Sequence, residues 1–128
     1  MSQHGVPGHL GWLDLTVADA TGLREFYADV VGWGHEAVPV DEHEDFVMTA
    51  ADGDAVAGIC HARGDNADLP PLWIPYVVVD DLTGRLARCR ERGGEVLGGI
   101  RDAPGHGRFA VIRDPAGAVM ALFQLAEG

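Results

Sequence analysis

The chain has 128 residues, 47% of them hydrophobic and 23% charged, which is typical of one compact globular domain. Twenty acidic residues against nine basic ones give a formal net charge of −11, which disfavours binding to nucleic acid or to anionic lipid. All nine basic residues are arginine, so lysine Schiff-base chemistry and a lysine-containing phosphate-binding loop are excluded.

The longest uncharged apolar run, Leu72–Val79, is far shorter than the roughly 20 residues that cross a membrane. Residues Met1–Gly5 have neither the basic nor the apolar stretch of a secretion signal, so we expect a cytoplasmic protein. Cys60 and Cys89 lack metal-binding or redox spacing, and in a reducing compartment we expect both to be small core residues.

An internal repeat organises the chain, because Leu15–Gly22 aligns with Val77–Gly84 and each copy predicts a strand followed by a helix that begins after an aspartate. Alternating and helical hydrophobic patterns, bounded by turn residues, predict the remaining elements. In chain order the predicted elements are strand Trp12–Val17, helix Ala20–Val31, strands Gly34–Val40, Asp45–Thr49 and Ala55–His61, then strand Ile74–Val79, helix Leu82–Arg92, and strands Glu95–Ile100, Arg108–Arg113 and Ala118–Leu125.

These elements predict an α+β fold of two βαβββ modules that form a mixed curved sheet around a central cavity, where a small ligand would bind. We expect a single domain over residues 1–128, with module one at about 9–62, module two at about 73–125 and a polar linker at about 63–72. One module alone buries too little apolar surface to be stable, so the two are expected to fold together.

Three motifs carry a resemblance to a known family: Leu-x-Val-x-Asp before the first helix, Phe26-Tyr27-x-x-Val-Val-Gly32-Trp33 within and after it, and Phe109-x-Val-Ile-Arg-Asp114-Pro-x-Gly117 near the end. With the repeat, they resemble the vicinal oxygen chelate superfamily, which includes glyoxalase I, extradiol dioxygenases and bleomycin-binding proteins. The resemblance implies the fold over nearly the whole chain. It leaves the activity open, since this scaffold serves enzymes and pure binding proteins.

The resemblance also implies where metal ligands would lie in metal-dependent members. Those positions fall on Trp12, Ile74, Ala121 and a residue near Ala57, and none of these side chains can ligate a divalent cation. We therefore expect no metal at the family's positions and no cofactor. A displaced site built from His9 or His61 with Asp14 is the alternative, although no familiar metal-binding spacing supports it.

Strand alternation predicts which side chains face the cavity. Asp14 is unusual on an inward strand position, because a buried carboxylate requires a hydrogen-bonding partner or a ligand. We predict Asp14 and His61 as a catalytic acid/base pair, the alternative being structural roles for both. The predicted ligand-binding residues are Trp12, Thr16, Ile59, Ile74, Tyr76, Phe109, Ala121 and Phe123.

Other candidates receive mainly structural interpretations. His43 lies in the acidic segment Asp41–Asp45, which we interpret as a solvated connection. Residues Gly105–Gly107 form either a mobile lip over the cavity or a plain turn. Trp33 is expected in the core, and Trp73 packs either under the linker or at an interface.

The leading function is a metal-independent protein that binds a small, planar or hydrophobic compound, either sequestering it or acting on it by acid/base chemistry. The alternatives are a metal-dependent lyase, isomerase or dioxygenase with displaced ligands, and a non-catalytic accessory subunit. We expect a homodimer whose partner is a small molecule, with no nucleic acid and no membrane partner.

Overall fold

The computed structural model describes residues 5–40, 42–103 and 105–126. Eight strands and two α-helices are formed by these described residues, together with a one-turn 3₁₀ helix at Gly64–Asn66. The order is β1 (Leu10–Val17), α1 (Ala20–Val30), β2 (Gly34–Val40), β3 (His43–Thr49), β4 (Ala55–His61), β5 (Trp73–Val78), α2 (Leu82–Glu91), β6 (Glu95–Ala103), β7 (Gly107–Arg113) and β8 (Val119–Leu125).

Two compact units divide the chain. The N-terminal unit comprises Trp12–Trp73, and the C-terminal unit comprises the residues up to Gly11 together with those from Ile74 onward. The segment before β1 belongs to the C-terminal unit through backbone hydrogen bonds, from Gly8 N to Val78 O at 2.7 Å and from Val78 N to His9 O at 2.9 Å.

In the N-terminal unit the strand order is β2-β3-β4-β1, with β1 and β4 parallel and the other pairs antiparallel. Helix α1 packs against one face of this sheet, because its buried first residue belongs to the same apolar core as side chains from β3 and β4. The fully or almost fully buried members of that core are Ala20, Phe46, Met48, Ala57 and Ile59.

The C-terminal unit repeats this arrangement with the strand order β5-β8-β7-β6, in which β5 and β8 are parallel. Its helix α2 contributes Leu82 and Leu86 to a core shared with Ala110 of β7. Each unit is therefore a βαβββ module, and the predicted α+β fold is confirmed.

Both helices begin as the repeat predicts. The Asp19 carboxylate accepts a hydrogen bond from Gly22 N at 2.9 Å, and the Asp81 carboxylate accepts one from Gly84 N at 3.2 Å. A Cβ at either glycine would meet the capping carboxylate, so any other residue at the third position of the helix would make the aspartate side chain shift.

The two units differ in the strand that ends each module. Between β3 and β4 the register shifts by one residue, from Met48 opposite Ala57 to Thr49 opposite Ala55, so Val56 is an extra, bulged residue. The β7–β8 pairing continues without a shift from Gly107 to Arg113. Because side chains alternate with a period of two, the bulge reverses which face each later residue of β4 occupies.

Aromatic side chains pack against one another and against the core on the α1 side of the N-terminal unit. Trp33 packs against the core as predicted, and Trp73 donates its indole N–H to the hydroxyl of Tyr27 at 3.0 Å. Three apolar residues in and just after α1 remain more than half exposed in spite of their helical spacing: Phe26, Val30 and Val31. No helix in the described part of the chain is long and apolar enough to cross a membrane.

Candidate functional site

The Asp14 face is the side of the N-terminal sheet that lies opposite α1. In the parallel pair of β1 and β4, Leu15 is opposite Ile59, which packs in the α1 core, so the alternating residues Asp14 and Gly58 are opposite each other on the other face. A Cβ at residue 58 would collide with the Asp14 carboxylate. The glycine therefore makes the space that the carboxylate occupies.

Two side chains hold the Asp14 carboxylate in place. Trp12 Nε1 donates a hydrogen bond to Oδ1 at 3.1 Å, and the Cys60 thiol donates one to Oδ2 at 3.4 Å. Trp12 lies two residues before Asp14 on the same face of β1, and Cys60 lies two residues after Gly58 on β4. Alternation along two paired strands thus brings one carboxylate between two donors.

The surroundings of Asp14 bring its pKa closer to neutral pH than that of an ordinary aspartate. Burial raises the pKa of Asp14 to about 6, the hydrogen bonds from Trp12 and Cys60 act in the opposite direction, and the negative charge of Asp45 raises it further. An aspartate with this pKa changes its protonation state within the range in which acid/base catalysis operates.

The Cys60 thiol is a structural donor. Burial raises its pKa, and the negative charges of Asp14 and Asp45 raise it further, so it stays protonated. A protonated thiol is a poor nucleophile, and this residue therefore serves the site by donating a hydrogen bond to the Asp14 carboxylate. The prediction that Cys60 is only a small core residue is corrected: it is half-buried and contacts Asp14.

His61 lies elsewhere than predicted. It is opposite Val17, whereas Asp14 is opposite Gly58, so the alternation that puts Asp14 on one face leaves His61 off that face. The bulge at Val56 reverses the side chains of β4 that follow it, so the alternation that was expected to bring His61 beside Asp14 does not hold. The acid/base role of this pair stays a prediction. The same shift places Ile59, a predicted ligand-binding residue, in the α1 core.

A second polar cluster forms where β3 begins and β4 ends. His43 Nε2 lies 3.4 Å and His61 Nδ1 lies 3.6 Å from Asp45 Oδ1. The same carboxylate oxygen accepts a hydrogen bond from the backbone N–H of His61 at 2.9 Å. The interpretation of this acidic segment as a solvated connection is wrong from His43 onward, because β3 begins there and the His43 and Asp45 side chains are only 15% and 18% exposed.

The remaining predicted ligand-binding residues have definite places. Thr16 is buried and shares the Asp14 face by alternation. The others belong to the C-terminal unit, where the register puts Tyr76 opposite Ala121 and Phe109 opposite Phe123 on one face. The ring centroids of Tyr76 and Phe109 are 5.4 Å apart, and those of Tyr76 and Phe123 are 6.5 Å apart. Ile74 and Ala121 are almost completely buried.

A shallow depression of about 540 Å³ also lies in the C-terminal unit, between the β6–β7 turn and the end of β8. Its walls include Asp102, Arg108 and Gln124, and none of the predicted site residues. Residues Gly105–Gly107 belong to this turn, which is closed by a hydrogen bond from His106 N to Ala103 O at 2.8 Å.

Comparison with known proteins identifies the class that this duplicated βαβββ architecture defines. The profile of the Glyoxalase/Bleomycin resistance protein/Dioxygenase superfamily matches residues 9–122. The chain belongs to this superfamily, and the resemblance found in the sequence is confirmed.

Two curated relatives are similar over most of the chain. "Putative glyoxylase CFP32" of Mycobacterium tuberculosis is 33% identical over 119 residues, which cover 91% of this chain and 46% of the relative. "Anthracycline biosynthesis protein DnrV" of Streptomyces peucetius is 29% identical over 130 residues, covering 92% of this chain and 47% of the relative. The chain therefore spans about half the length of the curated relatives it matches.

Solved structures agree on the fold. The methylmalonyl-CoA epimerase of Mycobacterium tuberculosis superposes with a TM-score of 0.60 at 20% identity, covering 99% of this chain and 93% of that one. A Streptomyces coelicolor methylmalonyl-CoA epimerase in complex with 2-nitronate-propionyl-CoA gives the same TM-score at 16% identity, covering 95% of this chain and 100% of that one. At these identities the likeness concerns the fold alone.

The superfamily's usual metal positions do not fit a cation in this chain. Trp12 uses its indole N–H on Asp14, while Ile74 and Ala121 present only carbon atoms. The fourth position was predicted near Ala57, and the bulge puts Gly58, which has no side chain, opposite β1. These residues supply no ligand atom for a divalent cation.

Four residues at these two places were not predicted from the sequence: Gly58 and Cys60 beside Asp14, and His43 and Asp45 in the second cluster. Gly58 and Cys60 lie on the Asp14 face only because of the bulge, which no turn residue signals. His43 and Asp45 have the two-residue spacing that places side chains on one strand face, and this spacing could have identified them had β3 been extended two residues earlier.

Proposed function

We propose that this chain binds a small, planar or hydrophobic molecule at the Asp14 face, without a metal at the superfamily's positions. It either sequesters that molecule or acts on it with the Asp14 carboxyl as acid or base. The observation that carries the proposal is a buried carboxyl whose pKa is about 6 and whose two oxygens are oriented by Trp12 and Cys60.

The carboxyl has the properties that acid/base chemistry requires. Above a pH of about 6 it is mainly ionised and accepts a proton or a hydrogen bond, and below that pH it donates one. Fixing both oxygens avoids the reorganisation that a mobile carboxylate would undergo on binding. Trp12 adds an aromatic surface beside the carboxyl, which is suited to a planar ligand.

The relatives support the ligand class. DnrV is described as an anthracycline biosynthesis protein, and anthracyclines are planar, fused-ring molecules with hydroxyl and carbonyl groups. The name "Putative glyoxylase CFP32" is that of an enzyme. Since this chain covers less than half of either relative, transfer of either activity to it is part of the proposal.

Binding is tested by titrating the full chain with an anthracycline and following tryptophan fluorescence. We expect saturable quenching, and Asp14→Asn is expected to weaken binding about tenfold, equivalent to about 1.4 kcal/mol. The matched control is Asp29→Asn, an exposed aspartate on α1 of the same unit, which is expected to leave the affinity unchanged. Equal affinities for the wild type and Asp14→Asn would assign Asp14 a structural role.

Catalysis and sequestration are separated by exchange in D₂O. If Asp14 removes and returns a proton on carbon, the recovered ligand gains deuterium in the presence of the wild type but not of Asp14→Asn. A ligand recovered with its mass unchanged supports sequestration. If neither binding nor exchange occurs with any planar compound, the accessory-subunit hypothesis replaces this one.

The homodimer stays a prediction. Light scattering during size-exclusion chromatography is expected to give about twice the mass of one chain. The half-exposed Phe26 and Val30 on α1 are apolar residues that a partner chain would cover, and a mass of one chain at all concentrations would contradict the prediction.

A further inference from the structure

The cluster of His43, Asp45 and His61 adjoins the Asp14 face, where Trp12 and Cys60 hold the Asp14 carboxylate, and it forms a separate group of possible metal ligands. We propose that it binds one transition-metal dication of the zinc type, held by two imidazole nitrogens and one carboxylate oxygen. This site lies wholly within the N-terminal unit, on β3 and the end of β4, and none of its residues occupies a superfamily metal position. The inference is independent of the proposed ligand.

Strand geometry explains how the three side chains meet. His43 and Asp45 are two residues apart on β3, so they share one face. His61 ends β4, the antiparallel neighbour of β3, and the register from Phe46 opposite Ile59 brings this end of β4 alongside the start of β3. A set of ligands fixed on two hydrogen-bonded strands is more rigid than one on loops.

The distances suit a tetrahedral ion. Bonds of about 2.0–2.1 Å to nitrogen and oxygen give tetrahedral ligand–ligand separations of about 3.4 Å. Asp45 Oδ1 lies 3.4 Å from His43 Nε2 and 3.6 Å from His61 Nδ1. The candidate ligand atoms of all three residues lie within 4.8 Å of one another, so a small movement of one imidazole completes the set.

The carboxylate is already oriented for this role. Asp45 Oδ1 accepts the backbone N–H of His61 at 2.9 Å, the kind of secondary contact that fixes ligating carboxylates. The three side chains are 15–18% exposed, which leaves a route for an ion. His61 Nδ1 lies 2.9 Å from the carbonyl oxygen of Glu44, and a neutral ring that binds the ion through Nδ1 carries its proton on Nε2 instead.

The donor set selects the class of ion. Imidazole nitrogen with carboxylate oxygen suits zinc, copper, nickel or iron, whereas magnesium and calcium prefer oxygen ligands alone. Three protein ligands leave a tetrahedral position open to water. The ligand atoms that lie within 4.8 Å of one another belong to His43, Asp45 and His61, and the Cys60 thiol is not among them. The expected site therefore contains no sulfur.

Calorimetric titration of the chelator-treated full chain with Zn²⁺ tests the site. We expect one equivalent to bind, and His43→Gln and His61→Gln each to lose at least about 100-fold in affinity, which is about 2.7 kcal/mol. The control is His106→Gln, an exposed histidine of the C-terminal unit, which is expected to bind as the wild type does. Circular dichroism of every variant establishes that it is folded, and Asp45→Asn serves as the test if a histidine variant does not fold.

Substitution with Co²⁺ gives a second readout. We expect the intense visible absorption of a tetrahedral nitrogen–oxygen site in the wild type and in Asp14→Asn, and its loss in Asp45→Asn. Absence of binding, equal binding by the His43 and His106 variants, or a sulfur-to-cobalt band that disappears in Cys60→Ala would each overturn the proposal. Because Asp14→Asn retains the metal, failure of the ligand-binding proposal would be distinguishable from failure of this one.

Discussion

The two units use the same topology to build different sheet faces. Opposite the helix, the N-terminal unit presents Asp14 against Gly58, whereas the C-terminal unit presents Tyr76 against Ala121. One face therefore carries a buried carboxyl with a raised pKa, and the other carries packed aromatic rings. A duplicated module keeps its backbone pairing while its two copies acquire different chemistry.

The bulge accounts for part of this difference. Without Val56 as an extra residue, β4 would present Ala57 and Ile59 where it now presents Gly58 and Cys60. β8 has no bulge, so Ala121 and Phe123 occupy the corresponding face of the C-terminal unit. One inserted residue thus removes two apolar side chains from the Asp14 face and supplies the space and the thiol that the carboxylate needs.

The largest expected effect concerns the charge of Asp14. Because its pKa is raised from 3.8 to about 6 by folding, the folded state binds more protons than the unfolded state between these values, and stability falls as the pH rises from about 4 to about 6. The loss amounts to about 3 kcal/mol. Asp14→Asn is expected to lack this fall. Urea unfolding at pH 4 and pH 8 should therefore show that the free energy of unfolding of the variant, relative to that of the wild type, is higher at pH 8 than at pH 4.

Asp29→Asn is the control for that measurement, since this exposed aspartate lies on α1 of the same unit. It is expected to follow the wild type at both pH values. Parallel pH dependences for the wild type and Asp14→Asn would show that the Asp14 carboxyl is not desolvated.

An effect of intermediate size on stability is expected when Gly58 is replaced by alanine, the residue that the C-terminal unit has at the corresponding position, Ala121. Gly58→Ala puts a methyl group against the Asp14 carboxylate and 3.1 Å from Trp12 Nε1, and we expect a loss of about 2 kcal/mol in the free energy of unfolding. The double variant Gly58→Ala with Asp14→Ser is expected to recover most of it, because the shorter side chain vacates the space. Additive losses in the double variant would contradict this account of Gly58.

The smallest expected effect concerns a feature that the two units share, the aspartate that caps the start of each helix. Asp19→Ala and Asp81→Ala each remove one capping hydrogen bond, and each is expected to lower the free energy of unfolding by about 1 kcal/mol. Chemical denaturation of both variants measures the two values side by side. A difference larger than about 1 kcal/mol between them would show that the likeness of the two helix starts does not extend to their energetics.

Much of the fold was predictable because it depends on local signals. The first helix was predicted to end at Val31 and ends at Val30, and strands Gly34–Val40 and Ala55–His61 were predicted with the bounds that the structure gives. Turn residues, capping aspartates and hydrophobic periodicity act over a few residues, so they are visible in the sequence. The alternation rule also placed Tyr76, Ala121 and Phe123 on one face, as the register has them.

The candidate site was only partly predictable. Asp14 was identified because a carboxylate at an inward strand position requires a partner, and the structure supplies Trp12 and Cys60 as those partners. His61 was paired with Asp14 on the assumption of unbroken alternation in β4. That assumption fails at Val56, since a bulge depends on how two strands pair and not on the composition of either.

The sequence by itself determined the duplicated βαβββ order, the helix starts and the superfamily, because each follows from residue types at short spacing. Only the tertiary structure decided which side chains meet: it joined Cys60 to Asp14 and brought His61 to His43 and Asp45. Residue types fix the period of a strand. The hydrogen bonds with neighbouring strands fix its register, and with it the chemistry of each face.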